Sequence, residues 1–170
     1  MSSSSVLMSK LIMYRIGFSE DIHPIEKGRK LYLGGVYFEG EDGLAGHSDA
    51  DVVLHAIGES LLGALALGDL GTHFPDTDPK YKNIDSSLLV KEIMKMVSSK
   101  GYEVNNIDVQ IASGKVRLAK HIPLMRENVA KLLNVDIEFV SIKAMSFNKV
   151  GPIGEGNAIK ASAYVLLRKN

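Results

Sequence analysis

The stretch AGHSDADVVLHAIGESLLGALALG, residues 45–68, decides how this chain folds. Its apolar residues recur at the spacing of one broad helix face, at Val52, Val53, Ala56, Ile57, Leu61, Leu62 and Leu65. The pattern predicts one core helix of ~20 residues, or roughly 30 Å, with Ser48 as its N-cap and its end near Gly68. Two histidines, two aspartates and a glutamate lie at the entry, so this helix has either an ordinary solvated face or a chemically active one.

Segments with a strand pattern precede the long helix. Residues 11–18 and 30–38 are rich in β-branched and aromatic residues, which predicts two strands, and the first should continue towards His23. Within the second segment, Gly34 and Gly35 indicate a bulge or a close backbone approach. The chain therefore begins, on this interpretation, with two strands that lead into the helix.

Five further segments follow the long helix. Asp85 or Ser86 is expected to cap the first of them, and Gly101 to end it. The resulting order, β, β, α, α, β, α, β, β, predicts an α+β fold in which a mixed β-sheet has helices packed on one face. The five segments are a helix over residues 86–101, a strand over 107–113, a helix over 123–134, and strands over 139–146 and 161–168.

The composition restricts the partners and the chemistry. Twenty Lys and Arg residues balance twenty Asp and Glu residues, so we expect neither nucleic acid nor a membrane as a partner. Because the chain has no cysteine, a transition-metal site must use histidine and carboxylate ligands. We expect one domain over residues 14–170 after an N-terminal extension over residues 1–13, and a cytoplasmic location, or a plastid-type organelle if a targeting segment has been removed.

Two short elements each present metal-binding side chains on one side. Asp21 and His23 are two residues apart on a predicted strand, while Asp51, His55 and Glu59 are spaced by four on the predicted helix. Asp21, His23 and His55 together offer one oxygen and two nitrogen ligands for zinc, with a fourth position open for substrate. Spacing alone leaves the alternative open that Asp21 ends a strand and His55 is a hydrogen-bonded core histidine. Glu59 could orient the His55 ring.

Two other segments have features of an anion site. His47 and Ser48 lie at the start of the predicted helix, where free backbone N–H groups favour phosphate, although plain capping by Ser48 explains the same residues. The loop GKVRLAKH, residues 114–121, either supplies local positive charge or is an ordinary solvated loop. Its basic residues are Lys115, Arg117 and Lys120.

Six segments then occur in the order and spacing of one known family. Over residues 14–168 the chain resembles the 2-C-methyl-D-erythritol 2,4-cyclodiphosphate synthase family, and six matching segments make coincidence improbable. The segments are DIH at 21–23, GHSDADVVLH at 46–55, GDLG at 68–71, FPDTDP at 74–79, GYEVNNIDV at 101–109 and HIPLMR at 121–126.

The resemblance implies a homotrimer with active sites between subunits, and one Zn²⁺ per subunit held by Asp21, His23 and His55. The implied substrate is a small molecule, 4-diphosphocytidyl-2-C-methyl-D-erythritol 2-phosphate. Its 2-phosphate attacks the β-phosphorus within the same molecule, which yields the cyclic diphosphate and CMP, with Mg²⁺ or Mn²⁺ bridging the phosphates. Such a reaction needs positioning and charge neutralisation, because the nucleophile is already an anion.

The resemblance also assigns residues. His47 and Ser146 are implied to stabilise the transition state, Asp69 and Gly71 to hold the ribose hydroxyls, and residues 113–119 to enclose the cytosine. The full implied substrate-binding set is Ser48, Asp69, Leu70, Gly71, Phe74, Pro75, Asp76, Thr77, Asp78, Ser113, Gly114, Lys115, Val116, Arg117, Leu118, Ala119, Ala144 and Met145.

Several residues depart from the family pattern. Glu59 stands where the family usually has Asp, and Asn148 stands where it usually has the Glu that binds magnesium. Asn keeps an oxygen but lacks the charge that a hard cation prefers, so we expect a weak magnesium site. Ser146 replaces the usual Thr, Met145 is atypical, and Arg117 replaces a lysine. The alternatives are a zinc-dependent phosphohydrolase and a non-catalytic nucleotide-binding member of the same family.

Overall fold

A single mixed sheet forms the frame of the molecule in the computed structural model, which describes residues 13–170. The predicted extension over residues 1–13 therefore lies, except for Met13, outside the described residues. The strands are β1 (Tyr14–Leu33), β2 (Val36–Leu44), β3 (Tyr102–Ser113), β4 (Val140–Met145) and β5 (Ala158–Lys169), and the helices are α1 (Val52–Ala64), α2 (Leu70–His73), α3 (Ser86–Ser99), α4 (Ile122–Leu133) and α5 (Gly151–Gly154).

The sheet has the strand order β2-β1-β5-β3-β4. Its neighbouring strands are antiparallel except for β3 and β4, which pair in parallel. The predicted α+β class and the mixed sheet are thus confirmed, as is the predicted order of the longer elements. Within the part of the chain that the structure describes, no helix is both long and apolar enough to cross a bilayer.

The core helix α1 begins later than the sequence indicated. The Asp51 carboxylate caps it, accepting hydrogen bonds from the backbone N–H groups of Val53 (3.1 Å) and Leu54 (3.0 Å). The prediction of Ser48 as N-cap is therefore wrong, because residues 48–51 lie in a loop ahead of the helix. Asp51 is fully buried, so these bonds satisfy a carboxylate that no water reaches.

The end of α1 also differs from the prediction. The helix ends at Ala64, with Leu65 as its C-cap, before the predicted end at Gly68. Ala66 already has a positive φ of 56°, a left-handed conformation that cannot continue a right-handed helix. A pattern of apolar residues alone did not reveal this turn, because Leu65 still packs in the core.

Gly34 and Gly35 form the turn that joins β1 to β2. Both have positive φ (59° and 74°), which glycine adopts without a steric penalty. The predicted strand over residues 30–38 is therefore two strand ends with a hairpin turn between them. Of the predicted alternatives, a bulge or a close backbone approach, the first does not occur at these two glycines. The predicted close approach is confirmed, because both N–H groups donate to the Asp51 carboxylate, at 2.9 and 2.7 Å.

The packing of α1 on β1 requires a glycine. A Cβ at Gly17 would lie 1.8 Å from the carbonyl oxygen of Ser60, so no larger residue fits beneath the helix. Residues of β1 alternate between this helix face and an open face, as the pleat requires. Asp21 and His23 share the face of Gly17 and therefore lie towards α1.

The other predicted elements agree closely with the structure. Asp85 caps α3 by accepting a hydrogen bond from the N–H of Ser87 (2.8 Å), and Gly101, with a φ of 75°, follows its last turn. Pro123 lies in the first turn of α4, where its missing N–H costs nothing. These elements cover the same face of the sheet as α1 and complete the hydrophobic core.

The opposite face of the sheet is open and partly apolar. Ile16 is 72% exposed, and Phe18, Ile22 and Tyr164 are about half exposed on the same face. Phe18 and Tyr164 stack across β1 and β5 with ring centroids 4.6 Å apart. An apolar patch of this kind on one sheet face is typical of an interaction surface.

Candidate functional site

Three predicted metal ligands meet where β1 passes the first turns of α1. The Asp21 Oδ2 atom lies 3.0 Å from His23 Nε2 and 3.1 Å from His55 Nδ1. One ligand atom from each of the three residues falls within a 4.8 Å cluster. The donor set, one carboxylate oxygen and two imidazole nitrogens, suits a transition metal and leaves room for a further ligand. The prediction that these residues converge is confirmed.

The far nitrogen of each imidazole is also hydrogen-bonded. His23 Nδ1 donates to the Ala45 carbonyl oxygen, which can only accept, so Nε2 of the neutral ring presents a lone pair towards Asp21. His55 Nε2 lies 2.8 Å from Ser48 Oγ and 3.0 Å from Ser86 Oγ. Such bonds fix the orientation of both rings, as is usual for metal-binding histidines.

Two of the three groups, and the neighbouring Glu59, have shifted pKa values. Burial raises the pKa of Asp21, but the hydrogen bonds and positive charge from His23 and His55 outweigh it, so its pKa lies well below the ordinary value. The hydrogen bond to Asp21 raises the pKa of His23. Burial, followed by the charges of Asp21 and Asp69, raises the pKa of Glu59. The low pKa keeps Asp21 ionised, so its carboxylate is available as an oxygen ligand.

A cavity of about 250 Å³ opens beside the triad. His47, Ser48 and Glu59 line it, and the Nε2 atom of His47 is buried with no hydrogen-bond partner among residues 13–170. We call this space, with the triad, the metal-end pocket. Its other predicted members are Leu70, Phe74 and Asp76, while Tyr81, Ile84 and Leu89 also line it and were not predicted.

Some of the predicted substrate residues do not line this cavity. Asp69 caps the short helix α2, where its Oδ1 atom accepts from the N–H and the hydroxyl of Thr72 (2.8 and 2.7 Å). Asp78 caps the following turn by accepting from the N–H of Lys80 (2.9 Å). These two residues shape the loop that forms one side of the pocket. Gly71, in α2, and Pro75 and Thr77, which follow that helix, also lie outside the lining.

A second cavity, of about 660 Å³, lies between the loop after β3 and the loop after β4. We call it the loop pocket. All seven predicted residues of the first loop line it, together with four predicted residues of the second. Lys149 and Gly154 also line it and were not predicted. The predicted residues are Ser113, Gly114, Lys115, Val116, Arg117, Leu118, Ala119, Ala144, Met145, Ser146 and Asn148.

Backbone contacts, more than side chains, build the loop pocket. The N–H of Gly114 donates to the Ile153 carbonyl oxygen (3.0 Å), and a Cβ at Gly114 would lie 2.3 Å from the Gly154 carbonyl oxygen. Ser113 Oγ accepts from the N–H of Val116 (3.1 Å) and closes the first loop. Gly114 therefore lets the two loops approach each other.

The second loop has an unusual backbone. Phe147, Asn148 and Lys149 follow one another in the left-handed region, with φ of 56°, 50° and 65°. Each such non-glycine residue costs roughly 1–2 kcal/mol, and strain of this kind concentrates at functional sites. Ser146 Oγ accepts a hydrogen bond from the N–H of Asn148 (3.3 Å) at the start of this turn.

Comparisons with known proteins identify the family of this chain. A model of the YgbB family matches residues 14–168. The chain belongs to the YgbB family. A protein of Chloroherpeton thalassium named 2-C-methyl-D-erythritol 2,4-cyclodiphosphate synthase is 50% identical over 155 residues, which are 91% of this chain and 99% of that relative.

Solved structures show the same YgbB-family fold. The bifunctional IspDF from Campylobacter jejuni aligns with a TM-score of 0.89 and 33% identity over 94% of this chain, which spans only 43% of that longer protein. The Plasmodium falciparum IspF in complex with CDP aligns with a TM-score of 0.81 and 31% identity, over 92% of this chain and 97% of that one. The metal-end pocket and the loop pocket therefore lie in a fold shared with a nucleotide-bound structure.

Within this YgbB-family chain, the two predicted catalytic residues line different cavities. His47 lines the metal-end pocket and Ser146 lines the loop pocket. The strand register places Ile22 of β1 three strand spacings from Met145 of β4, or roughly 14 Å. Both cavities thus lie towards the same end of the sheet, but the chain does not join them into one site.

Proposed function

We propose that this chain is a 2-C-methyl-D-erythritol 2,4-cyclodiphosphate synthase. The observation that carries the proposal is the cluster of Asp21, His23 and His55 beside a cavity lined by His47 and Ser48, in a chain of the YgbB family. It would convert 4-diphosphocytidyl-2-C-methyl-D-erythritol 2-phosphate to the cyclic diphosphate and CMP. The relative from Chloroherpeton thalassium, which carries that name, supports the assignment.

The metal at the triad is, on this proposal, zinc. Two imidazole nitrogens and one carboxylate oxygen are ligands that zinc accepts in catalytic sites with an open position. Zinc bound there supplies Lewis-acid polarisation of a phosphoryl oxygen. Asn148 would be a candidate protein ligand for a magnesium or manganese ion held by the substrate phosphates, and such an ion would neutralise phosphate charge.

The residues of the chain position and neutralise the reacting groups. His47, whose Nε2 atom has no partner among the described residues, donates to a phosphate oxygen as negative charge develops. The Ser146 hydroxyl does the same from the other side. Because the attacking 2-phosphate and the β-phosphorus belong to one molecule, holding them in line replaces an enzyme nucleophile.

The cytidine end of the substrate is proposed to bind the loop pocket. The CDP complex of the Plasmodium falciparum IspF supports a nucleotide-linked ligand for this fold. The loop over residues 113–119 presents backbone N–H and carbonyl groups at close range because Gly114 lets it pack against the Gly154 region. Polar backbone groups at fixed positions can distinguish the edge of a base.

The active form is proposed to be a homotrimer with each site between two subunits. His47 and Ser146 line separate cavities in one chain, so a neighbouring copy would bring the loop pocket against the metal-end pocket. The exposed apolar patch of Ile16, Phe18, Ile22 and Tyr164 supplies a surface for this association. Ile16→Lys is expected to reduce both the oligomer fraction in gel filtration and the activity.

An assay of product identity tests the function. Purified protein loaded with zinc and supplied with magnesium should release CMP from the substrate and form the cyclic diphosphate. A linear hydrolysis product without any cyclic one would instead identify a zinc phosphohydrolase. Tight CMP binding with full zinc occupancy and no turnover would identify a non-catalytic nucleotide-binding protein.

A further inference from the structure

Two residues that were not predicted to belong to the site, Ser86 and Asp49, form a chain of hydrogen bonds to the metal ligand His55. Ser86, the first residue of α3, places its hydroxyl 3.0 Å from His55 Nε2. Asp49, in the loop ahead of α1, accepts hydrogen bonds on one oxygen from the Ser86 hydroxyl (2.5 Å) and on the other from the Ser86 N–H (3.0 Å). Ser86 is 1% exposed, so water does not substitute for these bonds.

The number of protons on each group determines which groups in this chain of hydrogen bonds donate and which accept. The Asp49 carboxylate also accepts from the N–H of Asp51 (3.1 Å), so every group that bonds to it is a donor. A hydroxyl has one proton, and that of Ser86 points to Asp49 because a carboxylate can only accept. Ser86 Oγ is therefore left as an acceptor towards His55, which must donate from Nε2.

Ser48 cannot fix the ring in this way. Its hydroxyl lies 2.8 Å from His55 Nε2 and already accepts from the N–H of Ala50 (3.1 Å). Its proton is not committed to a carboxylate in the described structure, so it can either donate to Nε2 or accept from it. Of the two serines, only Ser86 imposes a direction.

We propose that Ser86 and Asp49 are positioning residues that hold the proton of His55 on Nε2 and so present Nδ1 as a lone-pair ligand. In the opposite direction, Asp21 Oδ2 lies 3.1 Å from Nδ1 and attracts a proton to it when no metal is bound. The Ser86 and Asp49 pair opposes this pull and favours the form of the ring that a cation binds. The inference rests on the proposed metal-dependent function.

The same segment also positions His47. The backbone N–H of Asp49 donates to the Ile84 carbonyl oxygen (3.0 Å), and the N–H of Asn83 donates to the His47 carbonyl oxygen (2.8 Å). The start of α3 thus holds both the His55 ring and the loop that carries His47. A connected set of hydrogen bonds, with Ser86 buried at its centre, thus links the metal ligand with the proposed phosphate-binding residue.

Zinc affinity, measured by chelator competition, is the first test. Asp49→Asn and Ser86→Ala should each weaken zinc binding by ~10–100-fold, the usual range when a hydrogen-bond partner of a ligating histidine is lost. Asp49→Asn should act because its NH₂ must face either the Ser86 hydroxyl or the Ser86 N–H, and both are donors to the Asp49 carboxylate. Ser87→Ala, the same change one residue along the helix and without a side-chain bond to the site, should bind zinc as the wild type does.

A spectroscopic signature separates positioning from a general loss of packing. In zinc-loaded wild-type protein, the Nε2–H proton of His55 should be visible by NMR and exchange slowly with water. In Ser86→Ala it should exchange about five- to tenfold faster, as expected for the loss of about 1 kcal/mol of hydrogen bonding. Melting curves of the metal-free variants report any loss of folding separately.

The outcomes are distinguishable from those of the proposed function. Equal zinc affinity and equal Nε2–H exchange in folded Ser86→Ala, Asp49→Asn and wild-type protein would overturn this inference while leaving the synthase activity intact. In another outcome, the wild-type protein binds zinc but releases no CMP, and the variants lose the slow exchange of the Nε2–H proton. That outcome would support the inference and overturn the proposed function. A wild-type chain that binds no zinc would overturn both.

Discussion

The metal-end pocket and the loop pocket are built by different means. In the first, side chains form the candidate site, and each imidazole of the triad has hydrogen-bond partners on both nitrogens. In the second, the shape comes from a glycine contact between two loops and from three consecutive left-handed residues. The metal-end pocket should therefore be sensitive to the chemical identity of side chains, and the loop pocket to the backbone conformations that each residue allows.

The largest expected effect is on the metal-end pocket. His55→Ala removes a ligand outright, so zinc affinity should fall by more than the ~10–100-fold that follows loss of a ligand's hydrogen-bond partner, and CMP release should be lost. The helix should still form, because His55 lies at the mouth of a pocket and its neighbours Leu54 and Ala56 retain the core contacts. Zinc content per chain, activity and circular dichroism measure the three results.

A nearby histidine provides the control. His73 donates from Nε2 to the Leu67 carbonyl oxygen (2.9 Å) and belongs to neither pocket. His73→Ala should therefore retain its zinc. If His55→Ala unfolded, or if it retained as much zinc as His73→Ala, the triad would be a structural hydrogen-bond cluster and not a metal site.

The loop pocket should instead be broken by a single methyl group. Gly114→Ala places a Cβ 2.3 Å from the Gly154 carbonyl oxygen, and relieving such overpacking costs ~1–3 kcal/mol. If the loops separate to relieve it, CDP should bind roughly 5- to 100-fold more weakly, while zinc affinity stays unchanged. Calorimetry with CDP on the zinc-loaded protein measures the first effect, and chelator competition the second.

Gly63→Ala is the matched control for that substitution. No atom lies within 4 Å of a Cβ built at Gly63, which occupies an exposed position in α1. Alanine there should raise the free energy of unfolding by about 0.5–1 kcal/mol and leave both ligands unaffected. A parallel loss of zinc and CDP binding in Gly114→Ala would show that the two pockets do not behave independently.

The pH dependence should distinguish the metal-end pocket further. Because Asp21 raises the pKa of His23, protonated His23 stabilises the metal-free fold fully below the unfolded pKa near 6.5. This contribution is lost as the pH rises through the higher pKa of the folded state. Zinc needs the neutral ring, so zinc affinity should increase over that range, by up to ~10-fold per pH unit.

The opposite slopes can be measured on one protein. Denaturant unfolding of the metal-free protein at each pH gives the slope of stability, and zinc competition at each pH gives the slope of zinc affinity. His23→Gln, which cannot be protonated, should lose the His23-linked part of both slopes. Zinc affinity and metal-free stability that rose together with pH would contradict the assigned role of His23.

The contrast between the pockets also explains which parts the sequence could predict. Spacing placed Asp21 and His23 on one side of a strand, but it left open whether His55 joins them or is a core histidine. The resemblance to the family implied the complete triad. Asp49 and Ser86 escaped prediction because they meet across 37 residues of sequence through hydrogen bonds that have no periodic pattern. Ser86 was identified only as a candidate cap for α3, and Asp51 proved to cap α1 in place of Ser48.

Backbone conformation was the harder part to predict. Gly34 and Gly35 form a turn within a segment that has a strand pattern on both sides. The sequence pattern therefore did not show where β1 ends and β2 begins. Nothing in Phe147 or Lys149 indicates a positive φ, since bulky and long side chains rarely adopt it. The contacts of the surrounding loops override the backbone preference of these residues for negative φ. Only the structure shows that the loop pocket contains this left-handed turn.

The smallest expected effect concerns Asn148. At this position a side chain with better ligand chemistry is less suited to the backbone conformation. Asn148→Glu adds a carboxylate that a hard cation prefers, so the magnesium concentration for half-maximal activity should fall by roughly two- to fivefold, on the order of 0.5–1 kcal/mol. The same change places Glu at a φ of 50°, where asparagine is better tolerated. The free energy of unfolding should therefore fall by up to ~1 kcal/mol.

Asn134 separates these two contributions. It has a φ of 55° at the end of α4 and lies outside both pockets. Asn134→Glu should show the same stability cost as Asn148→Glu, because charge and conformation change alike, but no change in the magnesium requirement. If both variants lowered that requirement equally, the effect would come from net charge. If only Asn148→Glu lowered the magnesium requirement, the side chain at position 148 would act on the cation, in a pocket whose shape otherwise comes from the backbone.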